Sequence, residues 1–154
     1  MSVVRWVPLG AVFFTIVLSS CRQGEAPSPC TDPLGCVLLE AHEPIKFGVL
    51  QSLSGKVAPL GQEQLRGLEL ALNERHHTIL GHKVVLQVED TGCTSEGGAN
   101  AALKVVADPQ TVAIFGTTCS GAAATASKVM SDAGLTMISG NNSAPFLTSI
   151  GNQR

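Results

Sequence analysis

From Ile45 onward the chain alternates short aliphatic runs with longer stretches whose apolar residues recur at helical spacing, and few folds accept that alternation. Ile45 to Gln51 reads as a strand and Ser52-Leu53-Ser54-Gly55 as the loop after it. A helix from about Leu60 to Arg75 places Leu65, Leu68 and Leu72 on one face. Lys83 to Glu89, rich in Val and Leu, is a second strand. Thr94 or Ser95 caps a second helix with Ala99, Ala102, Leu103 and Val106 facing inward, and Asp108-Pro109 ends it. Thr111 to Phe115 is a third strand. Ser120 opens a third helix with Ala123, Ala126, Met130 and Ala133 inward, and Gly134 stops it. Leu135 to Ile138 is a fourth strand.

Strands alternating with helices in this way form right-handed βαβ units, hence a parallel sheet with helices on both faces. The expectation is an α/β, Rossmann-like three-layer lobe with strand order 2-1-3-4. Ligands of such sheets lie beyond the carboxyl ends of the strands, where the strand order reverses. That point falls between strands one and three, so the loops starting at Ser52 and Gly116 face each other across it, joined by the loop after strand four.

The residues before Ile45 have another texture. Arg5 and the apolar run Val7 to Leu18 have the form of a secretory signal, too short and too broken by Pro8 to span a bilayer comfortably. The run stops at Leu18-Ser19-Ser20-Cys21. Here the chain resembles a bacterial lipoprotein signal (residues 1–20), in which Cys21 is acylated and anchors the exported protein to the envelope membrane. An ordinary secretory signal with an incidental Cys21 is the alternative. Residues 21–43 carry Pro27, Pro29 and Pro33 and read as a tether. Setting Cys21 aside leaves four of five cysteines, an even number suited to an oxidising compartment. Cys30 and Cys36 are near enough to close a small loop, and Cys93 and Cys119 remain as the second pair. No Cys-x-x-Cys spacing points to metal instead. With a net charge of −2 and no basic run, the chain lacks the cation cluster that nucleic-acid binding needs.

Five stretches then carry a family resemblance. They are Ile45 to Leu50 running into Leu53-Ser54-Gly55; Gly67-Leu68-Glu69-Leu70-Ala71; Glu89 to Cys93; Ile114 to Ser120; and Met137-Ile138-Ser139 running to Ala144-Pro145. In this order, at these loops, they resemble the type I periplasmic binding proteins, specifically the branched-chain amino-acid receptors of ABC transporters. Residues 44–154 would be the first lobe, ending before a hinge and second lobe. The resemblance implies a non-enzymatic receptor outside the cytoplasmic membrane. Its partners would be a small solute, permease subunits and, through the lipid, the membrane; no cofactor is implied.

Carried over residue by residue, it gives half a site. Ser120 matches a position whose hydroxyl and N–H hold the ligand carboxylate, and a helix start favours an anion. Asn141 matches one whose carbonyl accepts from the ligand ammonium, and Ser143 one whose hydroxyl and N–H touch both groups. Leu60 stands where an aromatic wall is common, and Asn141 where a small residue is usual. Ser54 and Cys119, in the same loops, complete the ligand-binding set that the resemblance implies. The Cys93–Cys119 pair agrees with a disulfide found in several relatives.

Other constellations fall short of chemistry. His76, His77 and His82 read as polar residues in the loop after the first helix. Gly55-Lys56 is no phosphate loop, since Leu50 and Val57 stand where Gly and Ser or Thr are required. Ser120 has no His in the cleft loops to act as base. Glu89 and Asp90 are adjacent in a strand and point opposite ways. Two rivals to the transport reading remain open: the ligand-sensing domain of a receptor, and a truncated remnant.

Overall fold

The computed structural model of the chain describes residues 30–33 and 35–150. The expected signal run and Cys21 lie outside them. β1 (Ile45–Gln51), α1 (Ala58–Glu74), β2 (Thr78–Ile79), β3 (His82–Asp90), α2 (Ser95–Val106), β4 (Thr111–Gly116), α3 (Ser120–Asp132) and β5 (Met137–Ile138) follow in order. A short 3-10 helix spans Pro145–Ser149.

The sheet order is β2-β3-β1-β4-β5. The pairs β3–β1, β1–β4 and β4–β5 are all parallel, so the expected order 2-1-3-4 is present among the four longer-range partners. The fifth strand is an addition. β2 folds back antiparallel on β3, with Thr78 opposite Lys83 and Ile79 opposite His82. The turn between them uses Leu80 and Gly81 at positive φ, the conformation of a two-residue hairpin. His82 is therefore the first residue of β3 and not part of a loop.

One face of the sheet supplies Leu50 and Ile114 to a core completed by Ala101, Ala102 and Val105 of α2 and Ala126 and Met130 of α3. α1 covers the opposite face, where Ile45, Val49 and Val84 are buried and Leu72 is its most enclosed side chain. The main chain of Ser52 sits against Gly61, close enough that any Cβ there would strike the Ser52 carbonyl. That contact seats the start of α1 at the carboxyl end of β1.

α2 is rotated from the expected phase. It buries Gly98, Ala101, Ala102 and Val105, spaced i, i+3, i+4, i+7, while Leu103 is 55% exposed. The cause is the contact between α2 and α3. A Cβ on Gly98 would run into the Ala122 backbone, so the two helices meet through small residues at close range. That approach outweighs burial of one leucine and turns Leu103 outward. Ala99 and Val106 are only half-buried. Ala133 is likewise exposed, because α3 ends at Asp132 and Ala133 is its C-cap. Gly134, at φ 74°, stops the helix as its position predicts. In β5 the ladder takes in only Met137 and Ile138, although Thr136 accepts a hydrogen bond from the Ile114 N–H at 2.9 Å and Leu135 packs on the core.

The lead into β1 is pinned at the amino ends of the strands. The Gln110 amide donates to the Glu43 carboxylate at 3.0 Å, and the His82 ring pairs with the Glu43 carbonyl at 2.8 Å. Lys46 and Asp108 form an ion pair of 2.6 Å nearby, which holds the Asp108 carboxyl below its ordinary value. Cys30 and Cys36 are bonded, as are Cys93 and Cys119. The chain thus enters the lobe at the pole opposite the loops where a ligand is expected. No helix among the described residues is long and apolar enough to cross a membrane.

Candidate functional site

At the carboxyl ends of the strands three loops are laced together by hydroxyl groups. Gln51 and Ser52 close β1, and both are fully buried. The Ser52 N–H donates to the Thr118 hydroxyl at 2.8 Å, and that hydroxyl donates to the Gln51 side-chain amide oxygen at 2.6 Å. These two bonds bring the first and third parallel strands' loops together where topology puts the crevice. Ser139 performs the same task for the loop after β5. Its hydroxyl donates to the Thr117 carbonyl at 3.0 Å and accepts from the N–H groups of Asn141 and Asn142, each at 3.2 Å.

The expected site residues divide into those this lacing gathers and those it leaves apart. Ser120 is the first residue of α3, half-buried, and its hydroxyl accepts the Ala144 N–H at 3.3 Å. The start of α3 is thereby joined to the segment carrying Asn141 and Ser143, both exposed. The Asn141 side chain is spent on structure, since its amide donates to the Thr118 carbonyl at 3.1 Å. Cys119 is the N-cap of α3 and, through its bond to Cys93, fixes that helix start to the loop after β3. Leu60 lies in the first turns of α1 and is 53% exposed. Ser54 turns elsewhere, toward Asp90 at the end of β3.

Sequence reading missed Thr118, Ser139 and Asp90 as organisers of these loops. The Ser139-Gly140-Asn141 turn had a signal, a Ser able to bond to N–H groups two and three residues on. Thr118 had none, because its partners are Gln51 and Ser52, distant in sequence.

Asp90 clamps two loops, accepting from the Leu53 and Gly92 N–H groups, both at 2.8 Å. Burial pulls its carboxyl upward, but hydrogen bonds from the Ser54 hydroxyl and from the Gly92, Leu53 and Ser54 N–H groups outweigh that, and the net shift is downward. With the folded value below the unfolded one, Asp90 contributes stability above about pH 4 that is lost as pH falls through the folded value. Asp90→Asn is expected to flatten the acid side of the profile of Tm against pH. An acid limb identical to that of the parent would contradict the clamp.

The histidines do not converge. His77 pairs with Asn73 at 2.7 Å while His82 faces Glu43, and the described residues contain no group of three metal-ligating side chains. A cavity of about 450 Å³ lies away from the crevice, lined by Cys36, Asp108, Thr111 and Leu135. A smaller one of about 240 Å³, lined by Met130, Met137, Ser139 and Asn142, sits under the loop after β5. Neither cavity is lined by Ser120, Asn141 or Ser143.

Free N–H groups at a helix start, a hydroxyl on its first residue and a polar loop held beside it make an open half-cleft suited to a small anionic or zwitterionic solute. Such an arrangement defines a binding lobe. The chain belongs to the periplasmic binding protein family, whose profile matches residues 44–152. It is 35% identical over 113 residues to the Leu/Ile/Val-binding protein BraC3 of Rhizobium johnstonii, covering 72% of this chain and 30% of the relative. With the Leu/Ile/Val-binding protein of Escherichia coli it shares 32% identity over 126 residues, covering 77% of this chain and 34% of that one. Its fold superposes on the branched-chain amino-acid substrate-binding protein LivJ of Streptococcus pneumoniae, solved in complex with isoleucine, with a TM-score of 0.65 and 27% identity. That match covers 70% of this chain and 31% of LivJ. The chain therefore spans about a third of the length of these relatives.

Proposed function

We propose that this chain is the first lobe of the substrate-binding component of an ABC importer, capturing a branched-chain amino acid or a related small amphipathic solute outside the cytoplasmic membrane. The observation that carries the proposal is the 3.3 Å hydrogen bond from the Ala144 N–H to the Ser120 hydroxyl. It sets the start of α3 beside the loop of Asn141 and Ser143, so groups for a carboxylate and for an ammonium stand together. In this reading Ser120 and the N–H groups behind it hold the carboxylate, the Asn141 carbonyl accepts from the ammonium, and Ser143 touches both. Leu60 is the aliphatic wall. Ser54 and Cys119 act from behind, the first through Asp90 and the second by fixing the helix start. Cys21 would be the lipidated residue and 21–43 the tether. Entry of the tether at the opposite pole would leave the half-cleft unobstructed for permease subunits and solute.

A single lobe leaves much of a bound amino acid in water, short of the enclosure usual for a small-molecule site. Calorimetry of the chain with leucine, isoleucine or valine is therefore expected to show no micromolar binding, and a micromolar heat signal would contradict the half-site. The transport reading is tested by the DNA beyond the codon for Arg154. An open frame continuing through a crossing into a second α/β lobe is expected; an immediate stop codon would remove the closing partner and with it the importer role.

A further inference from the structure

Gln64 interrupts an apolar stripe. Leu60, Gln64, Leu68 and Leu72 follow at four-residue intervals along α1 and share one face of the helix. Leu72 is 6% exposed at the far end of the stripe and Leu60 is 53% exposed at the crevice end. Between them stands an amide whose oxygen and nitrogen are both buried without a hydrogen-bond partner among the described residues. Gly140 locates it: a Cβ built there would lie 3.7 Å from the Gln64 oxygen. The side chain thus reaches from α1 to the loop that carries Asn141 and Ser143, the two walls of the crevice. Gln51, on the sheet beneath, also has an unpartnered amide nitrogen, but its oxygen is already held by Thr118. Gln64 has no such restraint.

A buried amide that lacks both its donor and its acceptor partners is unfavourable, and it recovers that free energy when a complementary group arrives. Gln64 also surrenders no hydrogen bond on turning about its side-chain torsions toward Leu60. A leucine-like solute side chain offers it nothing. A carboxamide of the same shape offers an acceptor and a donor together. We propose that Gln64 is a specificity-determining residue of the crevice, biasing it among amino-acid solutes toward side chains that can hydrogen-bond over aliphatic ones of equal size. The proposal rests on the cleft reading above, and its test separates the two.

L-asparagine and L-leucine have nearly the same side-chain shape and differ in polarity, so they are the probes. The ¹⁵N-labelled chain is titrated with each and followed by two-dimensional NMR, in the parent and in Gln64→Met. The expected result has three parts. Both solutes move the Ser120 and Ser143 amide resonances, only asparagine moves the Gln64 side-chain NH₂, and Gln64→Met shifts the asparagine-to-leucine affinity ratio toward leucine by about fivefold or more. The methionine variant keeps the volume and removes the unpartnered atoms, so its Tm should not fall. Movement of Ser120 and Ser143 with a ratio unchanged by the variant overturns the role of Gln64 and leaves the cleft reading intact. Stationary Ser120 and Ser143 resonances with both probes overturn the cleft reading and this inference with it.

Discussion

Replacing Cys93 and Cys119 together by serine is expected to lower the unfolding free energy by about 3.5 kcal/mol, the loop-entropy value for a closure of 26 residues. For a lobe of this size that is a fall of about 10–15 °C in Tm, read by circular dichroism. The bond joins the loop after β3 to the N-cap of α3, so its loss also frees the helix start that the proposed carboxylate contact needs. Cys30 and Cys36 close only six residues and lie outside the core, and their replacement should cost about 2 kcal/mol or less. If the two double variants melt together with the parent, neither bond constrains the unfolded chain.

The second large effect is expected at Leu50. It is fully buried and meets Val105, Ile114 and Met130 in the cluster between the sheet and the α2–α3 layer. Leu50→Ala removes three methyl or methylene equivalents from a site that cannot collapse easily, because α2 and α3 are held by their backbone contact at Gly98 and Ala122. The expected cost is about 3–5 kcal/mol, measured by denaturant unfolding with the slope unchanged. By contrast, Leu103→Ala at the exposed face of α2 should change stability by less than about 0.5 kcal/mol. Comparable costs at the two positions would mean that α2 has the phase expected from its sequence and not the rotated one.

That pair of leucines also marks how far the sequence could be read. The strands were legible because β-branched runs bounded by loops have few other readings, and β1 occupies the residues expected of it. Helix ends were legible where a cap has local chemistry: Thr94 accepts the Gly97 N–H at 2.9 Å and Gly134 takes positive φ. The phase of α2 was not, because periodicity ranks Leu above Gly and Ala, whereas a close helix contact selects the small residues. β2 escaped because two residues leave no periodic signal, and only the Leu80-Gly81 turn reveals it. In the crevice, Ser120 could be placed from its position at a helix start. The lacing by Thr118 could not, since it depends on two partners 66 and 67 residues away. Asn141 stands where a small residue is usual, and the sequence assigns a role to its backbone carbonyl alone. In the structure its side chain bonds to the Thr118 carbonyl and so supports the loop without using its own carbonyl.

In the proposed reading the start of α3, with Ser120, holds a solute carboxylate beside the loop of Ser143. The most direct measurement compares L-leucine with L-leucinamide, which lacks the carboxylate charge, by NMR titration of the labelled chain. Saturable movement of the Ser120, Gly121 and Ser143 amide resonances is expected with leucine, little with leucinamide, and loss of the response in Ser120→Ala. Equal movement with both compounds, or none with leucine at high concentration, would contradict it.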